Sequence, residues 1–283
     1  MTKKESQFCF CTLALGKKYR ALAFLLAKDI EKYSPHTPLI VLTDRPQEFS
    51  HFPQVLAFKH QQQGVKCFHD KRFAITKALS LSNSCIFLDA DMRIVASVPE
   101  NMEWLKLPGI TARACVNMPQ KFAKVSLKNA DKKLIKELQV VKKAAQNLNI
   151  DTEWEKIYFL HEYLFAVTKD AGKEVKFLQE WDRLANYFEL NGVYAGEGNA
   201  IGLAAFKAGL QVRWSEMPGI SFFNNKIELV RIQKGQSCME EMSSYFEEHR
   251  KILHPPQSKL EKGLNKLVQV MMHFYRVMKL KFF

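Results

Sequence analysis

The residues whose types and spacing could do chemistry begin with Asp89 and Asp91, in the stretch CIFLDADMRIV from Cys85 to Val95. Cys85, Ile86, Phe87 and Leu88 make a short apolar run, which reads as a strand buried on both faces, as in a parallel sheet. Two carboxylates at its end then fall at the carboxyl edge of the strands, where open α/β sheets place ligands. Buried carboxylates without partners are costly, so such a pair calls for a cation. Hard oxygen ligands in small number suit a hydrated Mg²⁺ or Mn²⁺ that a substrate phosphate also holds. Taken alone, Asp-x-Asp also describes a strand end whose first Asp caps a turn while Asp91 is solvated.

Two other carboxylates stand in unusual surroundings. Glu197 lies in Gly196-Glu197-Gly198-Asn199, ahead of a small-residue helix over Ala200–Ala208 that Gly209 stops. The helix dipole alone would favour a carboxylate there, while the flanking glycines permit close approach of backbone to a ligand. Glu162, beside His161, interrupts the apolar run Ile157 to Asp170, which reads as one strand. A charged pair inside a strand must face a site or pair internally.

The elements that must position these groups follow from periodicity. Phe8 to Leu15 reads as strand one, and Lys17 to Tyr33 as a helix stopped by Ser34-Pro35. Strands over Leu39–Leu42 and Val55–Phe58 and a helix over Asp70–Leu81 precede the Asp89 strand. The order β-α-β-β-α-β predicts an α/β sheet with strands two and four, or their equivalents, parallel. No glycine-rich dinucleotide or nucleotide-phosphate signature follows strand one. Beyond Val95 come a loop over Pro99–Gly109 and a lysine-rich stretch over Gln120–Lys143 that runs into an amphipathic helix. A helix over Gly172–Phe188 carries Trp181, which suits the core better than sugar stacking. A strand over Val212–Trp214, a helix over Glu240–Lys251 and a basic amphipathic stretch over Gln257–Phe283 complete the chain.

The 283 residues carry 42 Lys and Arg against 29 Asp and Glu, a net charge of +13, which attracts anionic membranes, phosphorylated substrates or nucleic acid. The lysine-rich regions lack the interleaved aromatics and arginines of nucleic-acid surfaces, so no nucleic-acid partner is expected. Leu260, Leu264, Leu267, Met271, Phe274 and Met278 form a four-three stripe among lysines, which reads as a membrane-surface helix or as a helix docked on its own domain. No apolar run reaches the length needed to cross a bilayer. The start of the chain mimics a signal peptide but reads as the first strand. Six scattered cysteines without a C-x-x-C pair suit reduced thiols in a cytoplasmic protein, and argue against a disulfide scaffold or zinc site.

With its Ala14-Leu15-Gly16 and nearby tyrosine, a second strand ending in Thr43-Asp44, a basic helix and Leu88-Asp89-Ala90-Asp91, the chain resembles the GT-A fold of nucleotide-sugar glycosyltransferases. FLHEYLFAV and GEGNAIGLAA resemble the acceptor half of that fold, and the order is most similar to family 8-like bacterial enzymes that build lipopolysaccharide and related surface glycans. The resemblance spans Phe8 to Trp214. It implies an α/β fold with a mixed, mostly parallel sheet flanked by helices. It also implies a GT-A-like catalytic domain over 1–255, with a donor half over 8–98 and an acceptor half over 99–255, followed by the C-terminal basic amphipathic helix over 256–283.

The resemblance further implies that Thr12, Leu13 and Ala14 lie against the base and ribose and that Asp44 hydrogen-bonds the base. Arg72 and Lys77 would contact ribose or diphosphate, Ala90 would line the donor, and Asp89 and Asp91 would hold Mn²⁺ or Mg²⁺ with His254 as third ligand. The expected activity is transfer of a sugar from a nucleotide-sugar, a UDP-sugar above all, to a hydroxyl of a glycan or glycolipid at the inner face of a membrane. Glu197 or Glu162 would serve as base in an inverting reaction. The family's histidine-glycine-lysine motif is absent around His254, and its acceptor motifs appear as Glu162-Tyr163-Leu164 and Glu197-Gly198. A non-catalytic GT-A-like scaffold at a membrane is one alternative. A haloacid dehalogenase-like phosphatase is the other, although its nucleophile usually follows the first strand and Met92, not Thr or Val, follows Asp91 here.

Overall fold

A computed structural model describes residues 8–126, 131–256 and 258–282. Strand β1 (Phe8–Ala14) is followed by α1 (Gly16–Tyr33), β2 (Leu39–Thr43), β3 (Val55–Lys59), α2 (Lys71–Leu79), β4 (Ser84–Leu88) and the short β5 (Arg93–Ile94). The next elements are β6 (Gly109–Ala112), β7 (Cys115–Asn117), α3 (Met118–Lys121), α4 (Lys132–Asn147), β8 (Tyr158–Leu160), β9 (Leu164–Thr168) and α5 (Lys173–Leu190). Then come α6 (Glu197–Ala208), β10 (Val212–Trp214), β11 (Phe222–Phe223), α7 (Asn225–Gln233), α8 (Met239–Leu253) and α9 (Lys259–Phe282).

Seven strands form the main sheet in the order β10-β6-β9-β4-β1-β2-β3. Only β9 runs against its neighbours, and every other pairing is parallel, so the mixed, mostly parallel α/β sheet expected from the sequence is present. The chain lays β2 and β3 on one side of β1, then crosses to lay β4 on the other. That reversal opens a crevice at the carboxyl ends of β1 and β4, the place where such sheets bind ligands.

Alternation along β1 explains how one strand carries two layers. Cys9 and Cys11 face Ala74, Ile75, Ala78 and Leu79 of α2. Phe8, Phe10 and Ala14 face Ala23, Leu26, Ala27 and Ile30 of α1. All six cysteines are unpaired, and Trp181 is fully buried, as expected.

One expected strand is in fact two. The run from Ile157 to Asp170 breaks after Leu160: β8 pairs with β7 in a separate two-stranded sheet, while β9 enters the main sheet between β4 and β6. His161 and Glu162 occupy the turn between them, so neither charge has to be buried inside a strand. Behind this turn α6 packs tightly on β8. A Cβ at Gly202 would fall 1.6 Å from the Tyr158 carbonyl oxygen, so only glycine permits this approach. The Pro99–Gly109 loop contains a 3₁₀ turn, Glu103–Leu105, whose Trp104 is buried and donates to the Pro218 carbonyl at 2.9 Å.

Helix α8 is held to α1 through buried charge. Arg93 on β5 pairs with Asp29 of α1 and Glu248 of α8, and its guanidinium lies over the Tyr245 ring. The final helix behaves differently. It touches α5 but leaves the side chains of its apolar stripe exposed. No helix among the described residues is long and apolar enough to cross a membrane.

Candidate functional site

Asp89 leaves β4 at the crevice between β1 and β4. Its backbone N–H donates to the Tyr163 carbonyl and its carbonyl accepts from Met92 N–H, a turn that sets Asp91 beside it. Helix α2 precedes β4 and runs back along it, so the first residue of α2 stands at the same edge as Asp89. That residue is Lys71, which is buried.

The Lys71 Nζ lies 2.9 Å from Asp89 Oδ1 and 3.6 Å from Glu197 Oε1, and it donates to the Glu162 carbonyl oxygen at 3.5 Å. An ammonium at a helix N-terminus is opposed by the helix dipole, and burial also disfavours its charge. Asp89, Glu197 and Glu162 outweigh both, and the lysine pKa is raised above its ordinary value.

The carboxylates show the converse effect. Burial, only partly offset by Lys71 and reinforced by Asp91, raises Asp89 to about 6. Glu197, the first residue of α6 and 4% exposed, is raised to about 8 by burial, with Lys71 opposing and the hydrogen-bonded Glu162 carboxyl adding to the rise. Burial also raises Asp91, which Lys71, the nearby Lys226 and a hydrogen bond with Asn224 pull back. Antiparallel pairing of β11 with β5 delivers Asn224 there. Its Oδ1 also accepts from Lys226 N–H at 3.1 Å and so caps α7. Tyr19, in the first turns of α1, completes the rim: burial, then Cys67, Asp91 and Asp89, hold its hydroxyl pKa above the usual value.

Four carboxyls therefore gather around one buried lysine, more acidic groups than one ammonium can pair. Oxygen donors in such excess have the chemistry that suits a hard divalent cation. Among the described residues no group of three acidic, histidine or cysteine side chains comes together as a metal-holding set. His254 ends α8, is exposed, and lines a groove with Pro255, Pro256 and Lys262. It is not gathered with Asp89 and Asp91, and a lysine in its groove makes that a poor place for a cation.

Several other expected contacts are displaced. Thr12 and Ala14 are fully buried within the sheet, and Leu13 is the only one of the three partly exposed, so the first two cannot present side chains to a base. Asp44 stands at the end of β2 but is bound by Arg20 at 2.6 Å and Gly16 N–H at 3.0 Å. Burial pushes its pKa up, but these bonds hold it below the usual carboxylate value. Arg72 turns the other way, pairing with Asp182 at 2.8 Å and donating to the His69 carbonyl. Lys77 lies over the Phe58 ring, 4.2 Å from its centroid, near the far end of α2. Ala90 is buried inside the turn.

Lys71, Tyr19, Asn224 and Lys226 are the site residues that motif reading missed. A signal for Lys71 was present, since a helix that precedes β4 must start at the edge where β4 ends. No protein-family model matches the chain, and no curated protein matches it significantly.

Proposed function

We propose that this protein is a GT-A-fold glycosyltransferase that moves a sugar from a nucleotide-sugar, a UDP-sugar in the first instance, to a hydroxyl of a glycan or glycolipid. The observation that carries the reading is the convergence of Asp89, Asp91, Lys71, Glu162 and Glu197 at the topological switch point. The order of parallel strands with one reversed strand, β9, agrees with the mixed sheet that the resemblance implies.

In this reading the bond between the sugar anomeric carbon and the diphosphate breaks, and negative charge develops on a phosphate oxygen. Asp89 and Asp91 would hold Mn²⁺ or Mg²⁺, which when bound supplies Lewis-acid neutralisation of the diphosphate. Lys71 keeps Asp89 ionised and fixes its position, and its own charge lies in a water-poor setting where it acts strongly on developing negative charge. Glu197 and Glu162 stand together at the crevice beside Lys71, and either carboxylate would take the proton of the acceptor hydroxyl in an inverting reaction. Tyr19 forms part of the wall of the crevice.

The test is incubation of the folded protein with Mn²⁺ and a panel of nucleotide-sugars, following release of nucleoside diphosphate. Turnover is expected with one of them, lowered about 100-fold or more in Asp91→Asn. Absence of turnover and of binding for the whole panel would overturn the proposal. A second reading, a non-catalytic GT-A-like scaffold that acts through its basic faces, draws on the burial of Thr12 and Ala14 and on the ion pair that engages Asp44. It predicts no metal-stimulated turnover of any nucleotide-sugar.

A further inference from the structure

Helix α9 turns the wrong face outward for a helix that merely completes its own domain. The half-buried residues on it are His273, Arg276, Val277 and Leu280, spaced as one helical face. His273 packs edge-on against Tyr194, with ring centroids 5.3 Å apart. The apolar stripe lies on the opposite side, where Leu264, Leu267, Met271, Phe274 and Phe282 are all more than half exposed. An amphipathic helix ordinarily buries such a stripe against the core. Here the domain has taken the other face.

Width and charge decide what covers the stripe. The four-three spacing would suit a coiled coil with a second copy of this chain. Beside the stripe, however, Val268, Val270 and Tyr275 are also more than half exposed, so the apolar surface is wider than a coiled-coil seam. The exposed lysines of the helix, Lys262, Lys266, Lys279 and Lys281, stand against Glu261 alone. One partner helix would leave part of that surface bare, whereas an anionic bilayer offers a broad apolar boundary and compensating headgroups at once. The lysine-rich α4 adds to this. Both α4 and α9 pack on α5, and Lys136 reaches Gly192 in the turn after α5, two residues from the Tyr194 that His273 touches. The exposed Lys132, Lys133, Lys142 and Lys143 of α4 thus belong to a basic helix that borders the same turn after α5 as α9 does.

We propose that α9 lies flat on an anionic membrane surface, its exposed apolar stripe in the acyl boundary and Lys279 and Lys281 beside it against the headgroups. At 24 residues it covers about 36 Å of that surface. The inference is independent of the transferase reading.

Flotation of the full-length protein with vesicles of phosphatidylcholine, alone or mixed with phosphatidylglycerol, tests it. Binding is expected to the mixed vesicles and to fall about tenfold or more without the anionic lipid. Two variants, L264E/F274E and K279E/K281E, change only exposed side chains, so their circular dichroism and melting should match the wild type. Both should lose binding about tenfold or more, and added salt should weaken the wild type toward the lysine variant. Equal binding to neutral vesicles, no binding to either, or variants that bind like wild type would overturn the proposal. So would a dimer in light scattering that L264E/F274E converts to monomer, since the stripe would then face a second copy.

Discussion

Replacing Lys71 by methionine removes the one buried cation from a group of carboxyls and leaves Asp89, Glu162 and Glu197 facing each other. Breaking a buried ion pair in this way costs about 3 kcal/mol, read as a lower urea midpoint at unchanged slope. An unaltered midpoint would show that the pairing does not stabilise the fold. Glu197 makes a second prediction, with a definite sign. Its pKa rises from 4.5 to about 8 on folding, so the native state holds its proton more tightly. The associated stability is fully present below pH 4.5 and is lost as pH rises through about 8. Asp89, raised to about 6, acts in the same direction. Stability should therefore decline between pH 4.5 and 8, and Glu197→Gln should flatten that decline. A wild-type slope in the variant would contradict the raised pKa. His69 offers a third check. Its Nδ1 accepts from Trp181 Nε1–H at 3.2 Å, which places the ring hydrogen on Nε2, and burial lowers its pKa to about 3. Nitrogen chemical shifts should report the neutral Nε2–H tautomer near neutral pH, and the Nδ1–H tautomer would refute the contact. Asp89, Asp91, Glu162 and Glu197 were all legible as residue types in telling surroundings. The choice between Lys71 and Arg72 was not. They are adjacent at the start of one helix, and only packing decides which of them faces the crevice, while Lys77 stands about 9 Å along the axis from Lys71.

Among the elements, the strands and helices before Asp89 stand within a few residues of their expected bounds, because each is a periodic run closed by a turn. The second half was harder to read. A single apolar run, Ile157 to Asp170, feeds two sheets, and nothing in its hydrophobicity marks the partner change at His161. Short strands such as β5 and β11 owe their existence to pairing with each other and carry no pattern of their own. Yet that pairing is what delivers Asn224 to Asp91. The close seat of α6 on β8 is a direct target for mutation. Gly202→Ala would set a methyl group against the Tyr158 carbonyl, and the required shift should cost about 3 kcal/mol. Thermal unfolding of the variant measures it, and a melting point equal to wild type would mean that α6 can move off β8 without loss.

For the molecule as a whole, the switch point between β1 and β4 organises what the separate motifs could not. One crevice receives Asp89 and Asp91 from β4, Lys71 from α2, Tyr19 from α1, Glu162 from the turn before β9 and Glu197 from α6. The C-terminal helix offers a separate surface, whose charge and exposed stripe place it outside this chemistry. The most direct test of the central claim is calorimetric titration of uridine diphosphate in the presence and absence of Mn²⁺, on wild type and on Asp91→Asn. Saturable binding that requires Mn²⁺ and weakens at least about tenfold in the variant is the predicted result. Binding of equal strength without metal, or unaffected by Asp91→Asn, would contradict a donor site built on Asp89 and Asp91.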